Sequence, residues 1–182
     1  MSDRKEEILK IAQDLAQVNG LNGFSYIDIS MIIGIKTSSI HYYFKTKDDL
    51  AIAIIKRYHE NFKEQLDGIN SKSVDPEEKL VKFSEIFKDL ASTKEKFCLC
   101  GMMAAELAAL SVEARKELSS YFHSVKTWLL GIFSTLGSDN PEAEAEAYLA
   151  LLEGGLLLAR VEGQPLMIER ITKSFTNRWK EK

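Results

Sequence analysis

The chain has 182 residues, of which 45% are hydrophobic, and it carries a formal net charge of -3. This is enough apolar material for a proper core in one large domain or two small ones. The nearly balanced charge excludes a protein that holds nucleic acid mainly by bulk positive charge. No apolar run approaches the roughly 20 residues needed to span a bilayer, and the start is charged rather than signal-like, so we expect a soluble cytoplasmic protein with no membrane partner.

The first predicted helix covers residues 3–19, where apolar side chains recur at helical spacing until Gly20 interrupts the run. Phe24 follows in a loop, and we expect its ring to fill the space between this helix and the next. Ser25 is a plausible N-cap for a second helix, because Asp28 stands three residues further on, where the partner of a capping box belongs.

Residues 25–47 have the spacing of a helix-turn-helix. In that motif a small residue in the first helix allows close crossing, a glycine turns the corner, and a branched aliphatic residue anchors the second helix. Ser30, Gly34 and Ile40 supply these three, at spacings of four and six. The pattern predicts a recognition helix that starts near Thr37.

The recognition helix would expose short polar side chains toward base edges in the major groove. Three lysines surround this front, and no acid occurs between residues 36 and 47, so the patch is suited to phosphate. Phe44 is expected in the core. The candidate DNA contacts are Ser25, Tyr26, Lys36, Thr37, Ser38, Ser39, His41, Tyr42, Tyr43 and Lys47.

The segment GIKTSSIHYYFKTKDDLAIAI resembles the signature of TetR-type transcriptional regulators, in which a glycine turn precedes a recognition helix that ends in aromatic residues. Ser30 stands where the family usually has alanine, and His41 where it usually has tyrosine. The resemblance implies an all-α fold of about nine helices, with an N-terminal three-helix DNA-binding domain and a C-terminal helical domain for effector binding and dimerisation.

A fourth helix is predicted to start at Thr46, with Asp48 and Asp49 at the positive end of its dipole. It would run to about residue 67, where the segment GINSKSVDP contains several residues that break helices. We therefore place a DNA-binding domain at 1–47 and an effector and dimerisation domain at 48–182. A rigid helix that links the two could convert a change in the second into a rotation of the first.

Residues 97–110, FCLCGMMAAELAAL, are nearly all apolar and contain one acid, so we expect them to be buried on most sides. Glu106 must then find a partner or a polar cavity. The partner could be a donor on a ligand, or a basic residue of a neighbouring helix such as Arg160.

The last two helices contain more apolar surface than a monomer core needs, which suggests self-association. Two adjacent glycines in the helix at 142–161 lower its stability by on the order of 1 kcal/mol each relative to alanine. Close approach of another backbone could offset this loss. The resemblance points the same way, since TetR-like proteins usually dimerise through these helices as a four-helix bundle. The predicted interface residues are Leu151, Gly154, Gly155, Leu158, Ile168, Ile171 and Phe175.

The resemblance also implies a pocket for a small effector in the C-terminal helices. The residue types there suit an apolar or aromatic compound, although aromatic residues and methionines at helical spacing also form plain core. The candidate lining residues are Phe62, Phe87, Met102, Met103, Glu106, Tyr121, Phe122, Trp128 and Tyr148.

Cys98 has two interpretations. FCLCG is similar to a stretch of some TetR-like repressors in which the matching cysteine senses electrophiles or oxidants, and Lys94, Lys96 and a helix N-terminus could make this thiol reactive. The alternative is an inert buried cysteine. Cys98 and Cys100 are too close for an ordinary disulfide and lack zinc-type spacing.

These features predict a dimeric transcriptional regulator, in our interpretation a repressor that binds a palindromic operator in double-stranded DNA and is released by a small molecule. The sequence contains no P-loop, nucleophile elbow or dinucleotide fingerprint, so we expect neither an enzyme nor a cofactor. The alternatives are a helical ligand-binding or adaptor protein without useful DNA affinity, favoured by six basic against seven acidic residues in positions 1–50, or a repressor that senses electrophiles through Cys98.

Overall fold

The structure, a computed structural model, describes residues 3–93 and 96–179. Within these ranges it contains helices and no strands, which confirms the predicted all-α class with its nine helices. The α-helices are α1 (Asp3–Asn19), α2 (Tyr26–Ile33), α3 (Thr37–Tyr43), α4 (Lys47–Lys72), α5 (Pro76–Ser92), α6 (Leu99–Ala105), α7 (Val112–Thr135), α8 (Pro141–Glu162) and α9 (Met167–Thr176). Two short 3-10 helices cover Leu107–Ala109 and Asn177–Trp179.

The chain forms two compact units. The first contains the residues up to Asn61 together with Leu99–Tyr121, and the second contains Phe62–Cys98 together with the residues from Phe122 onward. These packing units do not coincide with the domains placed at 1–47 and 48–182 on functional grounds. The first unit takes in α6, which packs against α1.

The turn of the helix-turn-helix forms as its sequence predicts. Gly34 adopts a left-handed conformation with φ of 76°, and its N–H donates to the carbonyl oxygen of Ser30 at 2.9 Å. Since side chains with a Cβ rarely adopt this conformation, the glycine decides where the turn falls. Ser30 and Ile40 are buried, so α2 and α3 meet on small and aliphatic side chains.

The start of α4 is fixed by a reciprocal cap. The N–H of Asp49 donates to the Thr46 hydroxyl at 3.1 Å, and the N–H of Thr46 donates to the Asp49 carboxylate at 2.9 Å. The predicted end near residue 67 is wrong, because α4 continues to Lys72. Its buried stripe includes Ile69, so packing prolongs the helix through residues of poor helix propensity.

The expectation that the segment 97–110 is buried on most sides holds only for its first part, because residues 98–100 are all buried whereas 104, 105 and 107–109 are exposed. Leu99, Met103 and Leu110 are buried, but Leu107 is 45% exposed. The helix α6 ends at Ala105, and a 3-10 turn follows Glu106.

In the second unit α5, α8 and α9 pack against one another. Its interior is aromatic, with Phe83 in contact with four other rings at centroid distances between 5.5 and 6.1 Å: Phe62, Phe87, Trp128 and Tyr148. The Tyr148 hydroxyl donates to the carbonyl oxygen of Leu80 at 2.7 Å, which supplies a buried polar atom with a partner.

Candidate nucleic-acid interface

The recognition helix α3 presents a polar front. Lys36 is its N-cap in extended conformation, and Lys36, Ser38 and Ser39 are exposed while Thr37 is partly buried. Hydroxyls of this length reach base edges without filling the groove, and an ammonium at the edge of the helix suits a phosphate. The sequence prediction and the position of these side chains therefore agree, although DNA contact itself remains a prediction.

An open groove of about 520 Å³ runs beside this front. Its walls combine α3 with the first turn of α1, and it is lined by Arg4, Ile35, Ser38, Ser39, Tyr42 and Tyr43. Sequence reasoning missed Arg4, which forms an exposed ion pair with Glu7 at 2.6 Å. The only sequence signal was a basic residue in the first turn of α1, and its position next to α3 depends on the packing.

The aromatic residues at the end of α3 divide into core and surface. Phe44 is buried, whereas Tyr42 is 81% exposed and makes an edge-to-face contact with Tyr43 at 5.1 Å. His41 is exposed, with its ring 4.7 Å from that of Tyr26 and its Nδ1 3.3 Å from the carbonyl oxygen of Lys45. Tyr42 thus offers the more accessible hydroxyl for a phosphate.

The Tyr26 side chain holds neighbouring helices together, and its position does not support the prediction that it contacts phosphate. Its side chain is buried, and the hydroxyl lies 2.6 Å from the carbonyl oxygen of Thr46 and 3.1 Å from that of Phe44. Burial, and secondarily the charge of Asp49, raises the pKa of Tyr26 to about 12. The hydroxyl therefore ties α2 to the junction of α3 and α4 instead of facing solvent.

Ser25 is exposed at the start of α2, as predicted, and the predicted partner Asp28 closes the cap. The Asp28 carboxylate accepts from both the N–H and the hydroxyl of Ser25 at 2.7 Å, and these bonds lower the pKa of Asp28. A phosphate at Ser25 would have to share this end of the helix with that carboxylate.

Lys47 lies partly buried against the loop between α1 and α2. Its ammonium donates to the carbonyl oxygen of Phe24 and lies 4.5 Å from the centre of the Phe24 ring. Burial lowers the pKa of Lys47, while the charges of Glu106 and Asp28 act in the opposite direction. An ammonium has three protons, so this anchoring leaves donors for a phosphate.

Glu106 binds the same loop rather than a cation or a ligand donor. Its Oε2 accepts from the backbone N–H of Asn22 at 3.2 Å and from the Asn22 side chain at 3.1 Å. Its Oε1 occupies the space where a Cβ of Gly20 would lie. The expectation of a partner such as Arg160 is therefore wrong, and the role of Glu106 in effector binding stays a prediction.

The other effector candidates fall in both units. Met102, Met103 and Tyr121 belong to the first unit, and Phe62, Phe87, Phe122, Trp128 and Tyr148 to the second. Phe62, Phe87, Met103, Tyr121 and Tyr148 are buried, and the rings of Phe62, Phe87, Trp128 and Tyr148 all contact that of Phe83. Core packing accounts for these side chains, and their contact with an effector stays a prediction.

Cys98 and Cys100 are free thiols, and both are buried. The Cys98 thiol contacts the carboxyl group of Glu153, whose pKa burial raises to about 7. A buried thiol beside a carboxyl group has little tendency to become a thiolate, the reactive form. Of the groups expected to activate it, Lys94 lies outside the described residues and the following helix α6 has only seven residues.

The predicted dimer residues separate into two groups. Ile168 and Gly155 are buried within the subunit, because a Cβ on Gly155 would lie 2.3 Å from the Ile171 Cδ1 and 3.2 Å from the Ile168 Cδ1. These two residues therefore belong to the packing of α8 against α9 within one subunit, which corrects their prediction as dimer contacts. The groups close to Gly155 are two side chains and not the backbone that we expected. By contrast, Leu158 is 55% exposed, and nothing lies within 4 Å of a Cβ on Gly154.

An apolar stripe follows the outer side of α8. It consists of Ala150, Gly154, Leu157, Leu158 and Val161, of which Val161 is 86% exposed. Beside it, a surface groove of about 340 Å³ joins α8 and α9 and is lined by Leu151, Ile171, Ser174, Phe175 and Arg178.

A helix-turn-helix whose second helix exposes short polar residues next to basic ones defines a DNA-binding protein. Comparison with known proteins identifies the family. A TetR transcriptional regulator from Legionella pneumophila has the same fold with a TM-score of 0.91 and is 35% identical, over 98% of each chain. A TetR-family regulator from Agrobacterium tumefaciens follows with a TM-score of 0.90 and 28% identity over 95% of each chain.

An HTH-type transcriptional regulator from Lactococcus lactis subsp. lactis is 29% identical over 168 residues, which are 88% of this chain and 85% of that protein. The chain matches no family model. The 35% identity to the Legionella pneumophila regulator over 98% of each chain shows that the chain belongs to the TetR family of transcriptional regulators, and it is a DNA-binding transcriptional regulator. Proteins of this family bind operator DNA, typically as dimers, and are generally not enzymes.

Through the described part of the chain, none of the helices combines the length and the apolar composition that a membrane span requires.

Proposed function

We propose that the protein is a homodimeric repressor that binds a palindromic operator and leaves it when a small molecule binds. The observation that carries the proposal is the exposed front of α3, where Ser38 and Ser39 face outward beside the N-capping Lys36. Thr37 and these serines would read base edges, while Lys36, Tyr42 and Tyr43 would hold the phosphate backbone. Arg4 lines the same groove, so we add it to the proposed contacts with the phosphate backbone of DNA.

The dimer would form through α8 and α9. The apolar stripe on α8 exposes Leu157, Leu158 and Val161 together, and Gly154 in its centre leaves room for close approach. The contact across this stripe would be isologous, and a palindromic operator would require half-sites about one helical turn apart, or a multiple of it. Residues 1–50 are not basic as a whole, so the affinity for DNA would depend on the local lysine patch of α3. Dimerisation would supply this patch twice.

The effector would act by changing the spacing of the two recognition helices. The first unit offers a route for that change, since Glu106 at the end of α6 binds Asn22 in the loop between α1 and α2. Lys47 anchors the other side of the same loop through Phe24. A ligand that moves α6 would therefore move the support of the helix-turn-helix.

The assay is the binding of purified protein to DNA from upstream of its own gene, titrated against salt. Affinity for a specific site should fall steeply with salt concentration, by about 0.9 in the logarithmic slope for each phosphate contact. Because a dimer presents each residue twice, Lys36→Ala should reduce the slope by about 2. Lys116→Ala, an exposed lysine on α7 outside the helix-turn-helix, is the control for net charge.

Specific binding that Lys36→Ala weakens and Lys116→Ala does not would support the operator-binding proposal. If the protein binds selected DNA no better than random DNA, including sites drawn from a random-sequence pool, the proposed operator contacts fail. A ligand-binding or adaptor role would then be favoured. A repressor that senses electrophiles through Cys98 is disfavoured by the burial of Cys98 against Glu153.

A further inference from the structure

The first helix of the helix-turn-helix exposes apolar side chains that the proposed function does not use. In α2, Ile27 is 61% exposed, Met31 is 68% exposed and Ile32 is 56% exposed. Single exposed apolar residues are common on protein surfaces, but three of them in a helix of eight residues form a patch. Isoleucine has a lower helix propensity than alanine, so the formation of the helix does not explain why it stands there.

The helical period places Ile27 and Met31 beside the recognition helix. Tyr26 and Ser30 lie on the side of α2 that meets α3, because the Tyr26 ring is 4.7 Å from the ring of His41 and Ser30 is buried where the two helices cross. Ile27 and Met31 each come one residue later, which turns them by about 100° around the helix axis. They are therefore the exposed apolar side chains that border the contact between α2 and α3.

The part of α3 next to this border belongs to its exposed front. His41, whose ring packs against Tyr26, is itself exposed and comes three residues after Ser38. Residues three apart lie on the same face of a helix, so Ser38 and His41 share one face of α3. The apolar border of α2 thus continues the surface with which α3 would read base edges, and the inference below rests on the proposed operator binding.

DNA presents an apolar partner for such a side chain. In a helix-turn-helix the second helix lies in the major groove and the first crosses the backbone beside it. Thymine carries the one methyl group that base edges present in this groove. Isoleucine cannot donate a hydrogen bond to a phosphate, whereas its contact with a methyl group removes apolar surface of both partners from water. A second copy of the protein could also cover Ile27, but the continuity with Ser38 and His41 favours DNA.

We propose that Ile27, with Met31 beside it, contacts a thymine methyl group in each half-site of the operator. Sequence preference would then combine hydroxyl contacts from α3 with an apolar contact from α2. Because the proposed dimer presents Ile27 twice, the preference for thymine would occur at symmetric positions of the palindrome.

The test uses the full-length protein and an operator selected from a random-sequence pool, in which each thymine of one half-site is replaced in turn by deoxyuridine. This replacement removes the methyl group and leaves the base pairing unchanged. We expect one position at which the unchanged protein binds about three- to fivefold more weakly, the loss for one buried methyl group. Ile27→Ala should bind the thymine operator more weakly and should no longer distinguish thymine from deoxyuridine at that position.

Ile32→Ala is the matched control, because Ile32 is an exposed isoleucine of the same helix. It comes two residues after Ser30, which places it about 200° around α2 from the side that meets α3. This variant should keep the full preference for thymine.

The inference is overturned if no thymine methyl group affects binding by the unchanged protein, a comparison that needs no variant. It is also overturned if Ile27→Ala keeps the preference for thymine, or if Ile32→Ala loses it equally. If Ile27→Ala reduces only the cooperative binding of several dimers to longer DNA, the patch binds a second copy and the thymine contact is wrong. A pool that yields no preferred site would instead refute the operator-binding proposal, and this inference with it.

Discussion

Gly155→Ala tests the packing of α8 against α9, on which the dimer surface depends. Removing a glycine from a helix interior stabilises it by about 1 kcal/mol. The added methyl group, however, would lie 2.3 Å from the Ile171 Cδ1 and 3.2 Å from the Ile168 Cδ1. Overpacking of this kind costs about 1–3 kcal/mol.

The two effects together predict that Gly155→Ala lowers the free energy of unfolding by up to about 2 kcal/mol. The loss stays at the low end if the terminal methyl of Ile171, a flexible group, turns aside. Urea unfolding at several protein concentrations measures it, and the difference from the unchanged protein should not depend on concentration, because both contacts lie within one subunit.

Gly154→Ala is the matched comparison, one residue away on the same helix. Within the subunit nothing lies within 4 Å of the new methyl group, so the subunit itself should gain about 1 kcal/mol. Any destabilisation must come from a second copy and should then disappear on dilution, at protein concentrations too low for the dimer to form. If Gly155→Ala stabilises the protein as much as an open site would, the described packing of α8 against α9 is wrong.

Three further predictions concern buried or bridging polar groups. Tyr26→Phe should lower the free energy of unfolding by about 1 kcal/mol in thermal or urea unfolding, because it removes the hydrogen bonds from the buried hydroxyl to the carbonyl oxygens of Thr46 and Phe44; an unchanged stability would contradict the assigned contacts. Glu106→Ala should cost about 1 kcal/mol by loss of the bonds to Asn22, while Glu106→Gln, which keeps an acceptor oxygen, should cost less; equal losses would show that the negative charge, which both variants remove, matters rather than the bonds. The pKa of Glu153 rises from 4.5 to about 7 on folding, so the folded state binds the Glu153 proton more tightly than the unfolded state does. The protonated group therefore contributes to the free energy of unfolding below pH 4.5, and this contribution is lost as the pH rises through 7. The loss is at most about 3 kcal/mol, and Glu153→Gln should remove that part of the slope of unfolding free energy between pH 5 and 8; a slope that persists unchanged would assign the effect to other groups.

The sequence predictions were accurate where the interacting residues lie close together along the chain, and they failed where the partners lie far apart. The cap formed by Ser25 and Asp28 and the turn at Gly34 were predictable, because each interaction lies within a few residues. The end of α4 was misplaced, since the burial of Ile69 outweighed the local propensity of its neighbours.

The sequence by itself determined the all-α class, the helix-turn-helix and the polar front of the recognition helix. These depend on local hydrogen bonds and on the period of apolar residues, which are readable from short stretches. Only the tertiary structure decided that Tyr26 is a structural residue, that Glu106 binds Asn22 and that Arg4 lies beside α3. A side chain's partner from a distant part of the chain is set by how helices pack, and residue type and spacing leave several partners open until that packing is known.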